Sequence, residues 1–368
     1  MVAAPKVVED KGDEPREVDR AQPWGWLAAG LVVGAGLSVL FLRVDVSPPA
    51  PTTSTVAEVE VRSNEQVDGI GDVVEGFPDG LVAATRTDGQ SLELLIWPLR
   101  GEPYARAIPV GASSPAGPVA FDVSGRYLAT VIPVPDGGLG VLYSGIPQNA
   151  AIVATDVSGY AWHDTESSQL GYTTMVEGEL LLWVLHHDQA EPELVTRAVG
   201  IEGRLAAWGD WGFAVQDEGR DRVVLFTENG EIKDTHPGRV LDSHGSGWLA
   251  IENDGVSLLS AGGGVSGLDR EGLEDAVMAG RFSDDRMQLA LLGPEHVQVL
   301  SLEDDSELIE SGGRPGVPQL SWSSDGRFVL YPAVVRGIWV IDTQSGDAAE
   351  VMDDRTFTGI GIARLTGS

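Results

Sequence analysis

The chain has 368 residues, 42% of them hydrophobic, a formal net charge of −32 and no cysteine. That apolar content excludes a disordered chain, and the length allows one large all-β domain with a substantial core. The absence of Cys excludes disulfide staples, thiol nucleophiles and thiolate metal sites. The charge argues against nucleic acid as a partner, because phosphate binding needs clustered cations and Lys occurs only at positions 6, 11 and 233.

Residues 1–22 are polar, charged and Pro-containing without apolar periodicity, which predicts a short disordered tail. Residues 23–43 predict a transmembrane helix. The run 24–42, WGWLAAGLVVGAGLSVLFL, carries no charge and is long enough to meet membrane lipid across a bilayer core of about 30 Å. Trp24 and Trp26 sit at its leading end, where amphipathic rings favour the headgroup zone. Lys6, Lys11, Arg16 and Arg20 precede it, whereas only Arg43 stands close behind it. The positive-inside rule then places the N-terminus in the cytoplasm and the remainder outside, anchored as a single-pass protein of the cell membrane. A cleaved signal peptide is the alternative, but the run exceeds the usual apolar region of about 7–15 residues and no A-x-A-like site follows directly. Gly30, Gly34 and Ser38 give this helix a small-residue face that allows a weak homodimer, although such residues are common in membrane helices. Residues 44–56 are rich in Pro, Thr and Ser and predict an extended stalk.

Residues 57–368 predict a propeller domain, and within it, from Phe77 onward, one pattern recurs seven times: a short apolar strand, a turn rich in Ser, Asp and Gly, a second strand, and a third strand often carrying an aromatic. Aligned on the third strand, the copies fall at Trp97, Tyr143, Trp183, Phe226, Leu259, Leu300 and Trp339, with gaps of 46, 40, 43, 33, 41 and 39. Those gaps suit a propeller blade of about 40–50 residues. Runs such as LELLIWPL (92–99) and LLLWVL (180–185) are apolar on both sides, as expected of strands covered on both faces when blades stack radially.

The segment WSSDGRFVLYPAVVRGIWVIDTQSGDAAEV, within 320–352, resembles the repeat of TolB-like or WD40-like β-propellers; 119–144 and 278–305 resemble it less closely. The resemblance implies four-stranded antiparallel blades around a central channel, which with the seven copies makes a seven-bladed, all-β propeller, and it transfers no function. An open sheet edge invites aggregation, so the ring must close. Either the strand at 56–62 or the C-terminal TFTGIGIARL (356–365) completes the first blade, and the second is preferred.

No catalytic, cofactor-binding or metal-binding residue is assigned, and no cofactor is expected. The six histidines (His163, His186, His187, His236, His244 and His296) show no metal-ligand spacing. The pairs Asp284–Asp285, Asp304–Asp305 and Asp353–Asp354 fall at predicted turns, where Asp is favoured, yet carboxylates from different blades can converge in a channel and act on glycans. Gly262, Gly263 and Gly264 lack the Lys-Ser/Thr of a phosphate loop, and Ser246 reads as a turn residue. Trp208 and Trp211 suit packing between sheets better than ligand stacking. The expectation is a non-catalytic module binding an envelope protein, peptide or glycan. The alternative is a hydrolase or lyase acting at the channel, which three or more inward carboxylates or histidines at one channel end would favour.

Overall fold

In a computed structural model of the chain, the described residues are 75–78, 80–88, 91–98, 104–110, 118–133, 139–145, 149–186, 191–244, 248–252, 255–260, 264–268, 277–283, 285, 287–302, 307–311, 315–333, 337–351 and 357–364. The expected tail, membrane span, small-residue face and stalk, and the strand at 56–62, lie outside them. Among the described residues there is no helix, hence none long and apolar enough to cross a membrane.

The described residues form seven four-stranded antiparallel sheets. Strands β1 (Gly80–Asp88), β2 (Ser91–Pro98) and β3 (Tyr104–Val110) begin the first. The second holds β4 (Val119–Phe121), β5 (Tyr127–Pro133), β6 (Leu139–Gly145) and β7 (Asn149–Ala154). The third holds β8 (Val157–Trp162), β9 (Gln169–Val176), β10 (Glu179–His186) and β11 (Glu193–Val199). The fourth holds β12 (Gly203–Gly209), β13 (Gly212–Asp217), β14 (Arg222–Phe226) and β15 (Ile232–Pro237). The fifth holds β16 (Arg239–His244), β17 (Trp248–Glu252), β18 (Val256–Ser260) and β19 (Val265–Leu268). The sixth holds β20 (Ala279–Phe282), β21 (Gln288–Leu292), β22 (Val297–Ser301) and β23 (Glu307–Ser311). The seventh holds β24 (Ser321–Trp322), β25 (Phe328–Pro332), β26 (Ile338–Asp342) and β27 (Ala348–Val351). The last strand, β28 (Phe357–Arg364), returns to pair with β1 and completes the first sheet in the order β28-β1-β2-β3. All seven third-strand positions expected from the repeat fall on the third strand of their sheets.

Burial explains why these strands are apolar on both sides. Every residue of β13 and of β25 is buried, whereas the outer strand β15 is almost wholly exposed. Each apolar cluster straddles two neighbouring sheets. Ala129 and Val131 meet Val157, Trp162 and Tyr172; Leu180, Leu182 and Val184 meet Leu205, Trp208 and Phe213. The same face-to-face packing joins the fourth sheet to the fifth through Val223 and Leu249, the fifth to the sixth through Val256 and Leu289, and the sixth to the seventh through Val297 and Trp322. Removing this apolar surface from water, at about 25 cal/mol per Å², is the main force holding sheet to sheet.

The first strands of the sheets meet one another in turn. Strand β8 packs on β12, β12 on β16, β16 on β20, β20 on β24, β24 on β28 and β28 on β4, while β8 also packs on β5 and β6 of the preceding sheet. The circuit is therefore closed. At its seam Gln319 donates from Nε2 to the Val119 carbonyl at 3.0 Å and accepts the Ile360 N–H at 2.9 Å, tying β4, β28 and the approach to β24 together. A Cβ at Gly361 would lie 2.7 Å from the Val119 carbonyl oxygen, so only glycine allows β28 to approach β4 this closely.

The Ser/Asp/Gly turns repeat one hydrogen-bond device. Ser323 Oγ donates to Asp325 at 2.5 Å and accepts the Phe328 N–H at 2.9 Å, while Asp325 accepts the Arg327 N–H at 3.1 Å. Ser283 and Asp285 repeat it between β20 and β21. Between β4 and β5 the two residue types are exchanged. Asp122 there accepts the Arg126 and Tyr127 N–H groups and the Ser124 hydroxyl.

Candidate functional site

Two cavities, of about 550 and 470 Å³, lie along the first strands of the sheets. Residues early in those strands (Ser158, Arg204, Val240, Gly280, Leu320) line the smaller cavity, and later ones (Trp162, Ala207, Ser243, Phe282, Trp322) line the larger. Pro118, Ala120, Phe121, Tyr160, Ala206, Arg281 and Ser321 line both. The cavities are thus the two ends of one channel on the axis of the circuit, meeting at those seven residues.

The larger end gathers Asp122, His163, Asp164, Asp242 and His244, with Arg281 at its floor. Asp164 follows β8, its N–H held by the Trp208 carbonyl at 3.1 Å. Its carboxylate accepts the Ser243 hydroxyl at 3.1 Å. Burial, and then the nearby Asp242 charge, push its pKa up to about 7, against the pull of Ser243, Trp211 and Arg281. The Trp211 indole N–H favours the charged form while standing outside hydrogen-bonding geometry. Asp242 accepts the Phe282 N–H at 2.8 Å and faces Arg281 Nη1 at 3.5 Å. Burial raises its pKa as well, opposed first by Arg281 and then by the N–H groups of Phe282 and Ser243.

His163 is buried and occupies the position that Asp122 and Ser323 hold in their own turns. Its Nδ1 accepts the Glu166 N–H at 3.0 Å and the Thr165 N–H at 3.3 Å, which assigns the ring proton to Nε2, 3.6 Å from Asp210. Burial lowers its pKa and keeps it neutral. The Tyr160 hydroxyl lies 2.6 Å from the Pro118 carbonyl and 2.9 Å from that of Ala129, and burial raises its pKa.

The sequence expectation assigned no site residue, and three of the residues brought together here, Asp164, Asp242 and Arg281, bore no motif. The one signal available was a charge on or just past a first strand. Among the weighed histidines, His163 and His244 reach this channel end, whereas His186 on β10, His236 on β15 and His296 before β22 do not line it. Among the described residues no group of three or more His, Asp or Glu is placed to hold a metal ion. Asp285 serves its turn; Asp284, Asp304, Asp305, Asp353, Asp354, His187, Ser246, Gly262 and Gly263 lie outside the described residues, and the N–H of Gly264 donates to Ser260 Oγ at 3.0 Å. Trp208 is a packing residue, stacked on Phe213 at 5.2 Å and edge-on to His163 at 4.7 Å. The corresponding tryptophans clamp neighbouring sheets: Trp162 donates to the Ala120 carbonyl at 2.9 Å and Trp322 to that of Arg281 at 2.8 Å.

No family model matches the chain, and no curated protein matches it. Solved structures do. TolB from Acinetobacter baumannii is similar over 80% of this chain and 69% of its own, with 13% identity and a TM-score of 0.51. A functionally unknown protein from Desulfotomaculum acetoxidans is similar over 77% of this chain and 99% of its own, with 9% identity and a TM-score of 0.56. A protein from Lactobacillus plantarum is similar over 78% of this chain and all of its own, with 12% identity and a TM-score of 0.55. At such identities the likeness is one of fold. The chain is an all-β protein with the four-stranded antiparallel sheets of a TolB-like β-propeller.

Proposed function

We propose that the chain is a seven-bladed β-propeller held outside the cytoplasm by the apolar helix at 24–42. It acts there as a non-catalytic platform at the cell envelope, taking a protein, peptide or glycan partner at its channel mouth. The observation that carries this reading is how the titratable groups of the larger end are used. Asp122 and His163 hold their own turns, and Asp242 ties β16 to the Phe282 N–H of β20. A cavity of about 550 Å³ framed by such fixed polar groups has the size and mixed lining of a ligand site. Rigid walls with outward-facing turns suit recognition, and the fold by itself dictates no chemistry.

A second reading, an enzyme acting at the channel on glycans or lactones, is favoured by one feature. Five carboxylate and histidine side chains meet at one end, and among them Asp164 is tuned to about 7, where a general acid or base works best.

Photo-crosslinking in intact cells tests the leading reading. A benzoylphenylalanine replacing Thr165, exposed at the channel rim, is expected to give partner adducts, whereas one replacing Glu350, exposed on the outer strand β27, gives none. Adducts from Glu350 alone, or from both equally, would contradict a partner bound at the channel.

A further inference from the structure

The smaller channel end is charged unlike the rest of the chain. Acidic residues outnumber basic ones 56 to 24, yet among the described residues the charged ones lining this cavity are Arg204, Arg239 and Arg281, without a carboxylate. The three arginines come from successive first strands, β12, β16 and β20, so the closing of the circuit brings them together. Each is held on one side by a carboxylate that lies outside this lining: Arg204 Nε by Glu218 at 3.1 Å, Arg239 Nε by Glu252, and Arg281 Nη1 by Asp242 at 3.5 Å. A guanidinium carries five N–H donors, so one such contact leaves most of the fork unused. The side chains remain 53%, 40% and 49% exposed. Between the charges the wall is small and apolar, with Gly159, Ala206, Ala279 and Gly280.

Building on the reading of the channel as a binding site, we propose that this end is an anion site for a ligand with two carboxylates joined by a short apolar spacer. Planar guanidinium forks match carboxylates two bonds at a time, and the apolar wall between them suits the spacer. The carboxylates can belong to a free dicarboxylic acid or to neighbouring acidic side chains of a peptide.

Calorimetric titration of the full-length chain in detergent micelles separates the sources, with succinate in one arm and acetyl-Glu-Glu-amide in the other, and inorganic phosphate as comparison. At low salt at least one dicarboxylate is expected to bind more tightly than phosphate and to weaken as salt is raised. Arg204→Gln and Arg239→Gln, both at half-exposed positions, should each weaken it about ten-fold, the loss of a charge-assisted bond. Binding by neither dicarboxylate, tighter binding of phosphate, or affinity unchanged in both variants would overturn the inference. The salt dependence is read on the unaltered chain, so it decides even if a variant fails to fold. Adducts from Thr165 report on the opposite end; their persistence without anion binding would refute this inference and leave the binding platform standing.

Discussion

Asp164 and Asp242 are two half-buried carboxylates beside one channel end, and both hold their protons more tightly than in the unfolded chain, where the ordinary value is 3.8. Between pH 3.8 and about 7 the folded state therefore binds more protons than the unfolded state, and the contribution of Asp164 to stability falls as pH rises through that window. Asn in place of Asp164 keeps an acceptor for Ser243 and removes the half-buried charge. Asp164→Asn should be more stable than the native chain at pH 8, by about 1–2 kcal/mol, and the difference should shrink towards pH 4. Urea unfolding at the two pH values measures this, and an equal difference at both would contradict it. Neither residue was legible as a site in the sequence. Asp164, Asp242 and Arg281 sit in three different repeats and form no local motif. Only the register in which first strands pack side by side brings them together.

The strands and turns were far more legible, because each rests on local rules. The apolar run LLLWVL demanded a strand covered on both faces, and in β10 Leu180, Leu181, Leu182, Val184 and Leu185 are all buried. The turns were readable as Ser/Asp/Gly clusters, but the exchange of roles between Asp122–Ser124 and Ser323–Asp325 appears only in the hydrogen bonds. That exchange carries a prediction. Ser323→Ala leaves the buried Phe328 N–H without its acceptor and should cost about 1–3 kcal/mol. The double exchange Ser323→Asp with Asp325→Ser recreates the arrangement at Asp122 and should cost much less. Urea midpoints compare the two, and a double variant as unstable as the alanine would show that the turns are not interchangeable.

For the whole molecule, sheet number was legible in the regular repeat spacing, whereas the closing strand was left between 56–62 and TFTGIGIARL, with the second preferred, and it is the second that pairs with β1. What tightens the seam did not: Gln319 reaches strands distant in sequence and has no repeat-level signature. Gln319→Ala breaks bonds to Val119 and Ile360 at once and should lower stability by about 2–3 kcal/mol. A loss below about 0.5 kcal/mol, well inside the range of ordinary surface changes, would mean the seam is held elsewhere. The largest claim is that this ring stands outside the cytoplasm with its channel open to a partner. Because the chain has no native cysteine, single substitutions report position without background. A membrane-impermeant maleimide applied to intact cells should label Thr165→Cys at the channel rim, and should label Ala3→Cys only after permeabilisation. Labelling of Ala3→Cys but not Thr165→Cys in intact cells would contradict the account.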